Sequence, residues 1–559
     1  MFIVRRWRYI AFLCLCCSVH VAAQTLVYLE HSETLSFDQE RIANAQILRG
    51  NVIFRHEDAL MYCDSAYFYD QENSLDAFGH VRFEQGDTLK GYGDKLFYDG
   101  NTKLARLRRN VRLVHGQADN PTVLTTDSLN YDRARDVAYY YSGGTIADSL
   151  NTLRSIRGKY YPNSKQAVFS QEVRLDNPKF VLTSDTLLYN TETKIADLVS
   201  PSTIVYEEET NIYSSLGWYN TETEQSMLLQ RSEVVHSDGK SMTGDTIYYD
   251  KRIGHGRIIG NMEMRDTVQK MTLYGNFGEM FDDGDYGYAT DSALAVDWSE
   301  EDYAYMHADT LYTETIHFQP DSTEQDSTYR KMRAYHNVRL YRVDLQAVCD
   351  SLDYNSRDSV MTLYTDPVCW SDENQMSADT MRVYMKDGVV DYAHGINNAI
   401  TIKREARDYF DQMAGKEMFA YVRDGELRQV DVNGNALTVF YPKQEDGSFF
   451  GMNTTQSSYV KVFLENQEIH HIVILPQPQG VIYPMEQIPA GKDKLAGFFW
   501  AEQERPLKPG DVFLRPARTP RPGSGAMSAT EEVEIPMKSE EIENNAPKTA
   551  GKMKRKAAK

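Results

Sequence analysis

Cysteine and tryptophan are scarce in this 559-residue sequence, which contains 6 cysteines and 5 tryptophans. Three of the cysteines lie within the first 17 residues, which leaves Cys63, Cys349 and Cys369 in the body of the chain. An odd number cannot form a complete disulfide framework. Cys349 and Cys369 could form a disulfide if their strands are neighbours. The alternative is that all three are small, buried, apolar residues.

A net positive charge and long apolar runs are also lacking. The formal net charge is -21, which argues against nucleic-acid binding because an acidic surface repels phosphates. Beyond the N-terminal segment no run approaches ~18 continuous apolar residues, so no membrane-spanning helix is expected. The sequence contains no phosphate-binding loop, no GxSxG and no HExxH motif. We therefore expect no enzymatic activity, no cofactor and no metal site.

The N-terminus has the pattern of an export signal. Arg5, Arg6 and Arg8 precede a short apolar stretch, residues 10–21, and small residues follow at positions 21–23. This arrangement predicts a signal peptide over residues 1–23 and an exported mature chain that begins at Gln24.

A short string recurs along the chain: Asp, a small polar residue, an apolar residue, any residue, an aromatic residue, then Asp or Asn. Clear copies begin at Asp64, Asp94, Asp127, Asp185, Asp245 and Asp350, and weaker copies at Gly158, Ser215 and Asp379. Copies from Asp64 to Asp245 lie 27 to 33 residues apart. Such a period indicates a stacked repeat architecture.

A second string lies between these copies, for example GHVRF from Gly79 and NVRL from Asn110. In both strings apolar and polar residues alternate, which predicts antiparallel β-strands with one buried and one solvated face. The Asp residues, among them Asp127 and Asp245, are expected at strand ends because Asp and Asn are favoured in turns.

The predicted fold is all-β: an elongated, twisted, open β-jellyroll stack of antiparallel strands built from repeats of about 30 residues. We expect the repeats to occupy residues 24–475, in two or three stacked jellyrolls with a weak boundary near residues 250–345. Residues 476–504, which include GFFW from Gly497, are expected to cap the final strand. Residues 505–559 are rich in Pro, Gly and charge, and are expected to be disordered.

These strings resemble the repeat of the OstA/LptA-like family, the periplasmic β-jellyroll proteins of lipopolysaccharide transport. The resemblance spans roughly residues 26–475 and implies that an apolar interior cradles acyl chains. It also implies stacking of jellyrolls edge to edge with other transport proteins at the inner and outer membranes. The implied location is the periplasm, with association with the outer membrane as a further option. The chain is far longer than a simple bridge protein, and it lacks the large C-terminal barrel of the family's outer-membrane assembly protein.

Apolar alternate positions in successive strands are expected to line one continuous interior, with Arg82 and Arg112 outside it. The candidate lipid-groove residues are Val52, Phe54, Ala66, Phe68, Val81, Phe83, Leu96, Tyr98, Val111, Leu113, Leu129 and Tyr131. The same residue types could instead pack against each other in a closed sandwich without space for a ligand.

Three functions remain open on the sequence. The first is a periplasmic lipid-binding bridge in lipopolysaccharide transport and outer-membrane assembly. The second is an outer-membrane β-barrel, since alternating strands and tyrosine are also barrel features. The third is a β-helical enzyme acting on polysaccharide, or an adhesin, since parallel β-helices repeat at similar intervals.

Overall fold

The computed structural model describes residues 25–521, apart from residues 41, 118, 282–284, 319–326 and 466–467. The expected signal peptide therefore lies outside the described residues, as does the chain from residue 522 onward. Within the described part, 38 strands join into one hydrogen-bonded sheet.

The strands follow one another along the chain as a meander. The first group is β1 (Tyr28–His31), β2 (Thr34–Phe37), β3 (Gln46–His56), β4 (Ala59–Tyr69), β5 (Ser74–Gln85), β6 (Leu89–Asp99), β7 (Leu104–His115), β8 (Thr122–Asp132), β9 (Val137–Tyr140), β10 (Gly144–Ala147), β11 (Thr152–Ser155), β12 (Arg157–Tyr161) and β13 (Gln166–Asp176). The second group is β14 (Phe180–Asn190), β15 (Ile195–Leu198), β16 (Ser202–Tyr206), β17 (Thr210–Ser214), β18 (Leu216–Asn220), β19 (Gln225–His236), β20 (Lys240–Asp250), β21 (His255–Asp266), β22 (Met271–Phe281), β23 (Tyr286–Thr290), β24 (Leu294–Asp297) and β25 (Ala304–His307). The third group is β26 (Thr310–Phe318), β27 (Ser327–Tyr341), β28 (Gln346–Asn355), β29 (Val360–Tyr364), β30 (Val368–Ser371), β31 (Asn374–Ser377), β32 (Thr380–Lys386), β33 (Val389–Arg404), β34 (Phe410–Arg423), β35 (Glu426–Phe440), β36 (Met452–Glu465), β37 (Glu468–Leu475) and β38 (Gln479–Tyr483). Three short 3₁₀ helices follow, at Met485–Gln487, Glu502–Glu504 and Pro509–Phe513.

The predicted all-β, elongated antiparallel fold is confirmed. Neighbouring strands pair antiparallel throughout the described ladder, for example β5 with β6 and β20 with β21. This pairing excludes the parallel β-helix that the sequence left open. The ladder also runs without interruption through residues 250–345, from β20 through β22, β23, β26 and β27 to β28.

Most long strands bend at their middle, where two residues of one strand oppose a single residue of the next. Between β5 and β6, the pairing moves from Phe78 with Lys95 to Val81 with Gly93. Such a bulge turns the strand. One half of each strand therefore joins layer 1, which holds the Asp-to-aromatic strings, and the other half joins layer 2. The layers face each other across an apolar interior, as the ring contact of 6.5 Å between Phe83 and Tyr98 shows.

The bends share one backbone conformation, two consecutive residues with positive φ, which we call a corner. Corners occur at Gly50–Asn51, Gly79–His80, Arg109–Asn110, Gln171–Glu172, Gln230–Arg231, Gly260–Asn261, His336–Asn337, Asn397–Asn398 and Gly434–Asn435. At Gly260 the φ is +78°, and an added Cβ would lie 2.8 Å from Asp245 Oδ2. Glycine is thus required there both by conformation and by space.

The first Asp of the repeated string bonds to these corners. Asn110 donates its side-chain amide to Asp94 at 2.9 Å, and Asn261 donates to Asp245 at 2.6 Å. The expectation that Asp127 and Asp245 lie at strand ends is therefore wrong, because both lie in the middle of their strands, β8 and β20. The bend interrupts the backbone pairing of β20 with β21 at the corner. The corner side chain therefore bonds to a carboxylate of the adjacent strand.

The last Asp or Asn of the string does lie at the strand end and holds the turn. Asp99 accepts hydrogen bonds from the backbone N–H groups of Asn101 and Thr102 at 2.9 and 3.2 Å. Asn190 accepts hydrogen bonds in the same way from the backbone N–H groups of Glu192 and Thr193. These are Asx turns, in which a short polar side chain completes the turn of its own backbone.

After β38 the chain turns back and crosses the outer surface of layer 2, and we call residues 485–521 the strap. Phe499 and Ala501 pack against Val348, Val368 and Trp370. A neighbouring cluster joins Leu495, Phe498 and Trp500 of the strap to Ile400, Ile402 and Phe410. This differs from the expected cap on the final strand. The physical reason is that layer 2 carries apolar side chains on its outer face here, and the strap removes them from water.

Buried glutamines hold the strap through its backbone. The Gln375 amide donates to the carbonyl of Phe499 and accepts from the N–H of Ala501, both at 2.8 Å. Gln412 binds the carbonyl of Asp493 and the N–H of Leu495 in the same way, also at 2.8 Å. Each side-chain amide therefore binds one carbonyl and one N–H group of the strap, as the backbone of a neighbouring strand would.

The strap stays ordered beyond residue 504. Arg339 donates to the carbonyl of Glu504 at 2.8 Å, and Val512 is fully buried. The expected disorder from residue 505 is thus not found over residues 505–521. Residues 522–559 lie outside the described part of the chain.

Replacing Asp245 with Ala should lower the free energy of unfolding by about 1 kcal/mol, since one hydrogen bond at a corner is lost. The measurement is chemical denaturation of the purified protein. Asp185→Ala is the matched control, because Ser200 bonds the backbone of Thr186 in that repeat. An equal loss in both variants would contradict the role assigned to the corner carboxylate.

Replacing Gln375 with Leu should loosen the strap, because two buried backbone groups lose their partners at about 1–3 kcal/mol each. Limited proteolysis should then cleave the strap near Phe499 faster than in the parent protein. Gln456→Leu, at an exposed position, serves as the control. Unchanged cleavage of the Gln375 variant would show that side-chain packing alone holds the strap.

Candidate functional site

The twelve predicted groove residues all lie inside the sandwich, in one continuous cluster. None is more than 8% exposed. Their rings contact each other across the layers, Phe54 with Phe68 at 5.3 Å and Phe83 with Tyr131 at 5.9 Å. Arg82 lies outside, with its guanidinium 4.0 Å from the centre of the Tyr62 ring. In this half of the molecule the predicted residues thus pack against one another.

Opposite the corners, the turns of the two layers meet along a line that we call the seam. Over the first repeats this seam is closed by ion pairs between the layers. Lys103 pairs with Glu57 at 2.6 Å, and Lys194 pairs with Asp148 at 2.7 Å. Lys179 also pairs with Glu224 across it.

Tyrosines of the repeated string support the seam from within. The ring of Tyr98 is buried, and its hydroxyl accepts a hydrogen bond from Arg133 at 2.8 Å. Tyr189 donates its hydroxyl to Asp148 at 2.9 Å. Burial raises the pKa of Tyr98. Burial, followed by the nearby Arg133 charge, lowers the pKa of His56, whose ring contacts the Tyr98 hydroxyl. The seam is therefore built from neutral rings and paired charges.

The seam opens beyond Glu224 into a cavity of about 360 Å³, which we call cavity A. Four half-buried methionines line it: Met242, Met264, Met271 and Met280. Lys240, Lys251 and Asp285 stand at its mouth, and the ion pair of Arg330 with Asp266 at 2.9 Å lies at its rim. Methionine side chains are pliable, so such a lining adapts to the shape of an apolar ligand.

A second opening, cavity B, lies between the layers over β31–β37. It consists of two adjoining pockets of about 70 and 410 Å³ that share Asn374, Thr401, Leu427 and Val430. Its layer 1 wall is apolar and comprises Val390, Leu427, Val430, Val462, Leu464 and Ile472. Its layer 2 side combines the polar residues Asn374, Thr401, Lys403, Glu405, Asp411 and Lys443 with apolar ones, Met376, Met413 and Phe440.

Charges at the mouth of cavity B are grouped around one nearly buried carboxylate. Glu405, whose side chain is 7% exposed, pairs with Lys403 at 2.9 Å and also with Lys443. Burial opposes ionisation of Glu405, but hydrogen bonds from Lys443 and Lys403 lower its pKa. Burial raises the pKa of Asp411 to about 7, against the effect of the hydrogen bond that it accepts from the N–H of Tyr441 at 2.9 Å.

Other chemistry is sparse in the described residues. No group of three or more His, Cys, Asp or Glu residues there could hold a metal ion. No helix of the described part has the length and apolar content needed to cross a membrane. Cys63, Cys349 and Cys369 are buried free thiols. Cys369 pairs in register with Ala347, so it lies diagonal to Cys349 on the neighbouring strand.

Sequence reasoning missed both cavities. One available signal was methionine at the inward position of Met264, where earlier repeats have Phe54, Phe83 and Leu113. The other was the run TIKREARDYFDQ from Thr401, which places Lys403 and Glu405 at alternate positions where apolar residues were expected.

Residues 24–185 match the model of the family described as OstA-like protein. No curated protein matches the chain. The N-terminal part of the chain is thus similar to the OstA-like family, and in the structure it is built of antiparallel β-strands. The matched segment lies within the part whose interior is filled and whose seam is closed, whereas both cavities follow it.

Replacing Asp411 with Asn should stabilise the protein at both pH 5 and pH 8, and clearly more at pH 8. The folded-state pKa near 7 exceeds the usual value of 3.8. The contribution of this group to stability is thus fully present below 3.8 and is lost as the pH rises through 7. Thermal melts at the two pH values measure this. Asp446→Asn, at an exposed turn, is the control, and a shift at pH 5 equal to that at pH 8 would contradict the assignment.

Proposed function

We propose that this protein holds the acyl chains of a lipid in cavities A and B and thereby takes part in lipopolysaccharide transport and outer-membrane assembly. The observation that carries the proposal is the open interior with apolar walls beyond Glu224, in a molecule whose preceding segment is filled and closed. The OstA-like match supports the transport context.

The lining of the cavities fits flexible hydrocarbon chains. Burying each methylene group stabilises a complex by about 0.8 kcal/mol. Contact with a continuous apolar wall therefore stabilises a bound acyl chain. In cavity A that wall is rich in methionine, and in cavity B it is formed by Leu427, Val462 and Ile472. Both cavities open sideways at the seam, which allows a chain to enter without passing along the molecule.

The closed first half has a different role in this proposal. Its twelve interior residues contact lipid only if the seam ion pairs separate, because packed side chains fill the space between the layers. We propose that it acts as a rigid spacer within the periplasm, to which the predicted signal peptide would direct the chain.

Both ends of the ladder carry exposed apolar side chains on edge strands. At the first edge these are Leu26, Tyr28, Leu35 and Phe37, and at the last Ile469, Leu475, Val481 and Ile482. An unpaired strand edge with apolar side chains is suited to strand addition by a partner. We propose that other transport proteins at the inner and outer membranes dock at these edges, which would make the chain part of a bridge.

Photocrosslinking in growing cells tests the lipid site. A photoreactive residue at Met264 or Leu427 should crosslink to lipopolysaccharide, since both positions face a cavity. Residues placed at Arg82 and Arg112, outside the sandwich, are the matched controls and should not crosslink.

Photoreactive residues at Phe83 and Leu129 test whether lipid enters the closed half. Strong crosslinking there would show that the seam opens in cells and would overturn the spacer role. Crosslinking from Arg112 equal to that from Met264, or none from either cavity, would overturn the proposed function.

A further inference from the structure

Cavity B differs from the rest of the interior in having two unlike walls. In earlier strands the third residue after a corner is apolar and buried, as at Phe83 and Leu113. In β33 the same position is Thr401, and the next inward position is Lys403. The facing wall in layer 1 remains apolar. A ligand in this cavity therefore meets an apolar wall on one side, and charged residues beside apolar ones such as Met413 on the other.

The charged side presents two ammonium groups. Lys403 and Lys443 both pair with the same nearly buried carboxylate, that of Glu405. Their side chains are 24% and 45% exposed, which leaves part of each within reach of the cavity mouth. An ammonium group has three N–H donors, so each can bind more than one anionic oxygen.

We propose that cavity B binds an amphiphile with one anionic head group, a carboxylate or a phosphomonoester, which is held between Lys403 and Lys443 while its chain lies along the layer 1 wall. This deepens the proposed function and rests on it only for the use of cavity B as an acyl-chain site. A cationic head group is disfavoured by the two lysines, and a purely apolar ligand would remove the charged residues of the cavity from water without binding them.

The other charges that face the head-group position are Asp411, Glu405 and Glu468, and Tyr441 is the neighbouring phenol. Asp411 becomes protonated below its pKa of about 7, which removes one negative charge from the cluster. Glu468 is exposed, and solvent screens its charge. Anion binding should thus be tighter at pH 6 than at pH 8.

Isothermal titration of the full-length protein with decanoate, decyl phosphate and decanol tests this. The two anions should bind at least tenfold more tightly than decanol, and the comparison between them identifies the preferred head group. Lys443→Gln and Lys403→Gln should each weaken binding of the anions about tenfold and leave decanol unchanged, whereas Lys443→Arg should retain it. Lys461→Gln, which removes an outward lysine paired with Asp431, is the control.

The pH dependence gives a second readout. The affinity for decanoate should fall several-fold from pH 6 to pH 8 in the parent protein and stay constant in Asp411→Asn. Equal affinity for decanol and decanoate would overturn the head-group site while leaving acyl-chain binding intact. Failure of all three probes to bind would instead overturn the use of cavity B in the proposed function.

Discussion

The corner in the middle of each long strand is the constraint on which the rest of the structure depends. Two consecutive residues with positive φ, as at Gly79 and His80, turn the strand and send its halves into different layers. An acidic side chain from the preceding strand accepts a hydrogen bond from the corner, as Asp245 does from Asn261. Because the bends stack in register, the layers face each other along the molecule and all of the turns meet at one seam.

The residues at that seam decide whether the interior is accessible. In the first half, paired charges such as Lys194 with Asp148 join the layers, and tyrosine rings fill the space beneath them. Beyond Glu224, methionines line cavity A beside Tyr249, and charged residues of layer 2 line cavity B. One backbone architecture thus provides a closed segment and open segments, and the difference lies in the side chains at inward positions near the turns.

The strap covers apolar residues on the outer face of layer 2. Val368 and Ile402 point away from the interior and would be exposed without it. Gln375 and Gln412 bind its backbone in the way that a strand would, so the strap adds to the ladder through side chains. Its position also places Arg339 and Val512 in buried contacts distant from the end of the ladder.

Alternation and turn chemistry in the sequence were sufficient to determine the antiparallel β fold, the inward face of each strand and the Asx turns at Asp99 and Asn190. These are local properties, since side-chain direction alternates with every residue and an Asx turn involves only its own neighbours. Only the tertiary structure decided that Asp94 and Asp245 serve a mid-strand corner, because a repeat gives spacing but not the phase of the bend. It alone decided where the interior is filled and where it is open, since that depends on how side chains from two distant halves of each strand meet across the layers.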